Sequence, residues 1–139
     1  VLFRSYLSRL SGPLIDRIDI HVEVPAVPHK ELMGQKRGTD TKTIRQRVMA
    51  ARTIQIQRNG STLKPNSALS GRELDKLAVL DEPSQELLKQ AMSELGLSAR
   101  AYDKVRRVAR TIADLDTATN ISIEHVAEAI QYRLLDRKN

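Results

Sequence analysis

Residues 18–24 read Ile-Asp-Ile-His-Val-Glu-Val, a strict alternation that puts Ile18, Ile20, Val22 and Val24 on one face. Period two over this length predicts a half-buried β-strand, and Pro25 and Pro28 stop it. A lone strand can satisfy neither its backbone groups nor its apolar face. No second convincing strand occurs in the 139 residues. The expectation is therefore that the chain begins inside something larger and keeps the tail of a sheet domain.

Composition narrows the possibilities. The chain has no cysteine, which excludes a disulfide scaffold, a thiol nucleophile and thiolate metal sites, and fits a reducing, cytoplasmic setting. His21, His29 and His125 are scattered without ligand spacing, so no zinc site is expected. No stretch approaches the roughly 18 to 20 apolar residues of a membrane span, and Val1–Ser5 is too short for a signal peptide. Aromatic residues are 3% of the chain, so the core must be aliphatic and a base-stacking platform is disfavoured. The net charge of +6 is uneven: residues 1–65 hold 12 Lys/Arg against 5 Asp/Glu, and residues 66–139 hold 11 against 12. Such a basic half either meets phosphates or is solvated surface.

The pattern divides the chain at 1–28, 29–65 and 66–139. In the first part Tyr6–Arg17 has a helical period, interrupted by Gly12-Pro13, where a new short helix led by proline is expected. Residues 29–40 are polar and read as a linker. Thr41 to about Gln57 is a helix capped from Thr39, Asp40 or Thr41, with a stripe of Ile44, Val48, Ala51 and Ile54 or Gln55. Arg45, Arg47, Arg52 and Arg58 decorate its other faces. The rest predicts a helical bundle. Ser70 and Glu73 form a capping box; Asp81 caps a helix with Pro83 in its first turn and Gly96 at its end; Ser98 caps a long helix to Leu115; Ser122 caps the last.

Few motifs carry chemistry. Leu77-Ala-Val-Leu-Asp81-Glu82 has the form of a Walker B element, in which carboxylates hold magnesium and orient water. A helix cap explains the same residues, and no G-x-x-x-x-G-K-[ST] phosphate cradle exists anywhere in the chain. By itself this polypeptide is not expected to hydrolyse nucleotide. Arg17, at the mouth of the strand, is explained by a surface ion pair with Asp16 or Asp19, although it could also project to a neighbour's phosphate. Arg100 sits in the first turn of a helix, where a cation opposes the macrodipole. It serves equally as a partner of Asp103 or as a phosphate donor. Arg106, Arg107 and Arg110 read as a solvated charged face, and His125 as a surface or half-buried residue.

Tyr6-Leu-Ser-Arg-Leu-Ser-Gly-Pro-Leu-Ile-Asp-Arg-Ile-Asp-Ile-His-Val-Glu-Val-Pro25 closely resembles the end of the AAA+ core in magnesium-chelatase-like ATPases of the ComM/YifB type. Asn66–Leu74, Leu97–Tyr102, Val108–Leu115 and Glu128–Arg133 resemble the C-terminal lid of the same proteins. The likeness runs from Tyr6 to about Arg137; Val1–Ser5 and the stretch near Asn59–Lys64 depart from it. It implies a mainly α fold, a helical lid bundle with one short N-terminal β-strand left from the AAA+ core. It further implies an ATPase that assembles as a homo-oligomeric ring, expected to be hexameric, and uses ATP and Mg²⁺, neither expected on this piece alone. By position Arg17 matches the arginine finger and Arg100 the sensor-2 arginine. The resemblance also implies a role in DNA processing during natural transformation, as a branch-migration helicase. The competing reading is a basic DNA-binding or protein-interaction module, with Arg45, Arg47 and Arg52 meeting the nucleic acid.

Overall fold

The computed structural model describes residues 11–29, 33–34 and 38–133. The elements are α1 (Gly12–Arg17), α2 (Thr41–Asn59), a 3-10 turn (Asn66–Ala68), α3 (Gly71–Leu77), α4 (Glu82–Leu95), α5 (Ala99–Leu115) and α6 (Ile123–Gln131). The expected segments Tyr6–Leu10 and Lys36-Arg37 lie outside the described residues, as do Val1–Ser5 and everything beyond Arg133.

Local chemistry sets nearly every helix boundary. Ser11 accepts from the Leu14 amide to start α1, with Pro13 in the first turn. Asp40, one of the three expected caps, accepts from the Thr43 amide at 2.7 Å. The Thr43 hydroxyl, and after it the Thr43 amide, holds the Asp40 carboxyl below the usual range. Gly60 (φ 77°) and Gly96 (φ 61°) end α2 and α4 in the left-handed region that a Cβ would strain. The capping box at Ser70 and Glu73 forms as the spacing predicts. At α6 the box has an unforeseen member. His125 replaces the usual acid or amide: its Nδ1 accepts from the Ser122 amide at 3.0 Å, which leaves Nε2–H to donate to Asp116 Oδ2 at 3.0 Å. His125 is thus a buried capping group, neither exposed nor half-buried.

The core is aliphatic and is built around α5. Leu69, Leu74, Leu80, Leu88, Val105, Ile112, Ile121 and Val126 are its large members, closed by small Ala109, Ala113 and Ala129 where helices approach. α6 packs along α5 and α4, while α2 packs on α5. Burying such side chains contributes about 1.5 to 3 kcal/mol each.

The arginines of α5 correct the expectation of a solvated face. Arg106 and Arg110 are buried and Arg107 is half-buried. Arg106 reaches Asp75 at 3.0 Å and lies over the Tyr102 ring, 5.3 Å from its centroid. Arg107 donates twice to the Leu69 carbonyl, at 3.0 and 2.8 Å. Arg110 donates to the Thr119 and Ala118 carbonyls and to Asp114 Oδ1. Each guanidinium therefore fastens a connecting segment, or the helix after it, to α5.

Asp114, fully buried, is the centre of this polar structure. It accepts from Arg58 of α2 at 2.5 and 2.8 Å, from Arg110, and from Asn66 Nδ2 at 2.8 Å. Arg58 therefore does not decorate α2 but docks it. Burial pushes the Arg110 guanidinium down, and the Asp114 carboxylate works against this.

The expected strand is where the structure departs from the sequence reading. Among the described residues there is no β-strand. Residues 18–24 run without a ladder, and Ile18, Ile20, Val22 and Val24 are 42, 48, 65 and 83% exposed. His21, on the opposite alternation, is the one that is buried. The physical reason is the missing partner strand: the backbone turns to the helices instead, with the His21 amide donating to the Tyr132 carbonyl at 2.8 Å.

Two predictions follow from these contacts. Asp114→Ala leaves two guanidinium groups without their shared carboxylate. It is expected to cost about 3 to 5 kcal/mol of unfolding free energy in urea titration. Glu73 is held down to about 2 by Lys64 and by the Ser70 hydroxyl and amide. A depressed carboxyl contributes stability at neutral pH that is lost as the pH falls. Wild type should lose that increment between pH 4.5 and about 2, and Glu73→Gln should show a flatter acid limb in pH-dependent melts.

Candidate functional site at the α1–α5 junction

The structure brings α1 to the N-terminus of α5. Asp16 is the joint: Ser98 Oγ donates to its Oδ1 at 2.6 Å, and Arg100 Nη1 lies 3.9 Å from its Oδ2. Ser98 simultaneously caps α5 by accepting from the Ala101 amide at 3.1 Å. One turn on, Lys104 donates to the Arg17 carbonyl at 2.9 Å and pairs with Asp19. Arg133 donates to the Ile18 carbonyl, and His21 Nε2–H donates to the Ile15 carbonyl at 3.2 Å. α1 contains no buried residue, so polar bonds rather than apolar packing hold it.

Both sequence-derived arginines lie at this junction. Arg17 is exposed at the last residue of α1. Its surface ion pair with Asp16 or Asp19 is not the arrangement found, because α5 engages both carboxylates. Arg100, with a 71% exposed side chain, contacts Asp16 rather than Asp103, and Asp103 lies 3.9 Å from Arg106. A carboxylate thus occupies the place at the start of α5 where local electrostatics favour an anion. Arg45, Arg47 and Arg52 are exposed on α2, away from this cluster in the chain. Sequence reasoning missed Lys104, Arg133 and Asp16 as the joint. Their partners lie more than eighty residues away in the chain, and the contacts to main-chain oxygens leave no residue-type signature.

The Walker-B-like residues are structural. Asp81 accepts from the Ser84 amide at 3.0 Å and caps α4, and the Ser84 hydroxyl, with the amide second, holds its carboxyl below the ordinary value. Among the described residues no group of three or more His, Asp or Glu could hold a metal ion. No helix among them is long and apolar enough to cross a membrane.

The chain belongs to the magnesium chelatase ChlI family. Residues 38–133 match the model for the C-terminal part of that subunit, and residues 2–32 match the model for the ChlI subunit itself. Within the family it is of the ComM/YifB type. It is 41% identical over 134 residues to the YifB protein of Salmonella typhimurium and 40% identical over 133 residues to the competence protein ComM of Haemophilus influenzae. Each alignment covers 95% of this chain but 26% of the relative, so the chain spans about a quarter of their length. An uncharacterized Mycobacterium tuberculosis protein is 34% identical over 131 residues, 94% of this chain and 26% of that protein.

Asp16→Asn removes a charge from an exposed joint and leaves the core untouched. Its unfolding free energy should stay within about 0.5 kcal/mol of wild type. Hydrogen exchange at the His21 amide should nonetheless accelerate severalfold, because α1 and the segment behind it detach more often.

Proposed function

We propose that this chain is the C-terminal lid of a magnesium-chelatase-related AAA+ ATPase, carrying at its start the end of the nucleotide-binding core. Arg17 is the arginine finger directed at a neighbouring subunit's γ-phosphate. Arg100 is the sensor arginine that reaches the nucleotide of its own subunit. The observation that carries this reading is the Asp16 joint, which ties the helix bearing Arg17 to the first turn of the helix bearing Arg100. A shift of the lid that moves α5 also moves Arg17, so the two phosphate-directed cations respond to one motion.

The residues present fit a phosphate at the start of α5. The Asp16 carboxylate is an oxygen anion already bonded to Ser98 and facing Arg100, and a phosphate oxygen has the same demands. ATP with Mg²⁺ would supply the γ-phosphate on which charge develops during transfer. The cradle for that phosphate is not among these residues, since the chain contains no P-loop sequence. What this chain contributes is the placement of two guanidinium groups and the movement of the bundle behind them. The competence name of one relative supports a competence-related role; DNA processing by a ring of subunits is the form we propose for it.

The test is ATP turnover by the full-length parent. Arg17→Ala and Arg100→Ala should each lower turnover by a factor of ten or more, as removal of transition-state cations does. Lys89→Ala, at an exposed position of α4, should leave basal turnover unchanged. Near-wild-type turnover in both Arg17→Ala and Arg100→Ala defeats the assignment.

A further inference from the structure

The apolar stripe of α2 outlasts its cover. Ala51 and Gln55 are buried against α5, but the stripe continues one and two turns toward the N-terminus through Val48 and Ile44, which are 46 and 49% exposed. Residues 41–50 are exposed without exception. Helical geometry places Arg47 on one flank of this stripe and Arg45 and Arg52 on the other. Every charged residue between Asp40 and Glu73 is basic, and none of Arg45, Arg47 and Arg52 has an ion pair among the described residues. About 15 Å of helix thus projects an apolar line with a basic rim into solvent.

The same chain carries the complement. Val79 and Ile123 are 62 and 40% exposed, and they flank Asp81, Glu82 and Glu124 where α4 and α6 begin. The Ser122 side chain holds the Glu124 carboxyl below its ordinary value, and the nearby Asp81 charge opposes this only slightly. α6 has no Lys or Arg, and α4 has Lys89 alone against three glutamates. α4 and α6 pack on each other, whereas α2 packs on α5.

We propose that the uncovered half of α2 docks head to tail on the patch of Val79, Asp81, Glu82, Ile123 and Glu124 of a second copy of this chain. Ile44 and Val48 meet Val79 and Ile123, and Arg45, Arg47 and Arg52 meet the carboxylates. The apolar line is what favours a protein over nucleic acid: a phosphate-tracking helix needs the arginines but gains nothing from Ile44 and Val48. The two faces differ, so the contact is heterologous and propagates from copy to copy. It is small and its rim is charged, which makes it weak and salt-sensitive. This deepens the ring assembly of the proposed function by naming its faces. It does not depend on nucleotide, so its failure and that of the Arg17 and Arg100 assignments are read from different measurements.

The experiment is sedimentation velocity of this chain without nucleotide at low and high salt, over a wide concentration range. The wild type should associate at low salt, with an apparent dissociation constant about tenfold or more higher at high salt. Arg45→Glu with Arg47→Glu, and separately Glu82→Lys with Glu124→Lys, should each be monomeric. Mixed together, these two variants should associate again, because the intact arm meets the intact patch and the reversed arm meets the reversed patch. Circular dichroism melts confirm folding, and Glu82→Gln with Glu124→Gln replaces the patch variant if that one melts early. The proposal is overturned if the arm variant associates as the wild type does, or if the mixture stays monomeric. It is also overturned if the wild type stays monomeric while binding duplex DNA through Arg45 and Arg47.

Discussion

The buried carboxylate of Asp114 is the point on which the arrangement of this chain turns. It receives Arg58 from α2, Arg110 from its own helix and Asn66 from the 3-10 turn, and it is inaccessible to water. Two cations around one anion leave the site with excess positive charge, which the Thr119 and Ala118 carbonyls and the Asn66 side-chain oxygen partly absorb. An unpaired charge there would be costly, so α2 cannot slide or rotate on α5 without breaking bidentate bonds. The long basic helix is thereby fixed at its C-terminal end and left free at its N-terminal end. Residues 41–50 are uncovered as a direct result.

Much of the bundle is legible in the sequence because its boundaries are local. Asp40, Ser70, Asp81 and Ser98 each begin a helix by bonding an amide three residues on, and Gly60 and Gly96 each end one by adopting positive φ. Such signals need no knowledge of the fold. The arginines of α5 illustrate the limit. Their helical positions are readable, but their burial depends on whether a carbonyl or carboxylate from elsewhere comes within reach. Arg107 finds the Leu69 carbonyl and Arg58 finds Asp114 across 56 positions of chain. No spacing rule encodes those pairings, and the polar tract containing Asn66 gave no sign of being a buried hub.

The alternating segment fails for a related reason. Period two is a statement about which side chains share a face, and it presumes a neighbouring strand. Without one, residues 18–24 form no ladder, and the face that was expected inward is outward while His21 is inward. The junction residues are legible in another sense. Composition favoured a surface ion pair for Arg17 and left Arg100 even between an ion pair and a phosphate donor, and the family likeness singled both out. The fold then gathers their helices around Asp16 and assigns the expected carboxylate partners elsewhere.

The grip on the first segment has a consequence for how that segment can vary. Lys104 and Arg133 hold the carbonyl oxygens of Arg17 and Ile18, and the amide of His21 is held by another carbonyl. Main-chain atoms are common to all residues, so this attachment is blind to the identity of the side chains at positions 17 and 18. Among the described residues the guanidinium of Arg17 takes no part in the anchoring, which runs through Lys104, Asp19 and Asp16. It can be exchanged for another group without unseating the helix that presents it.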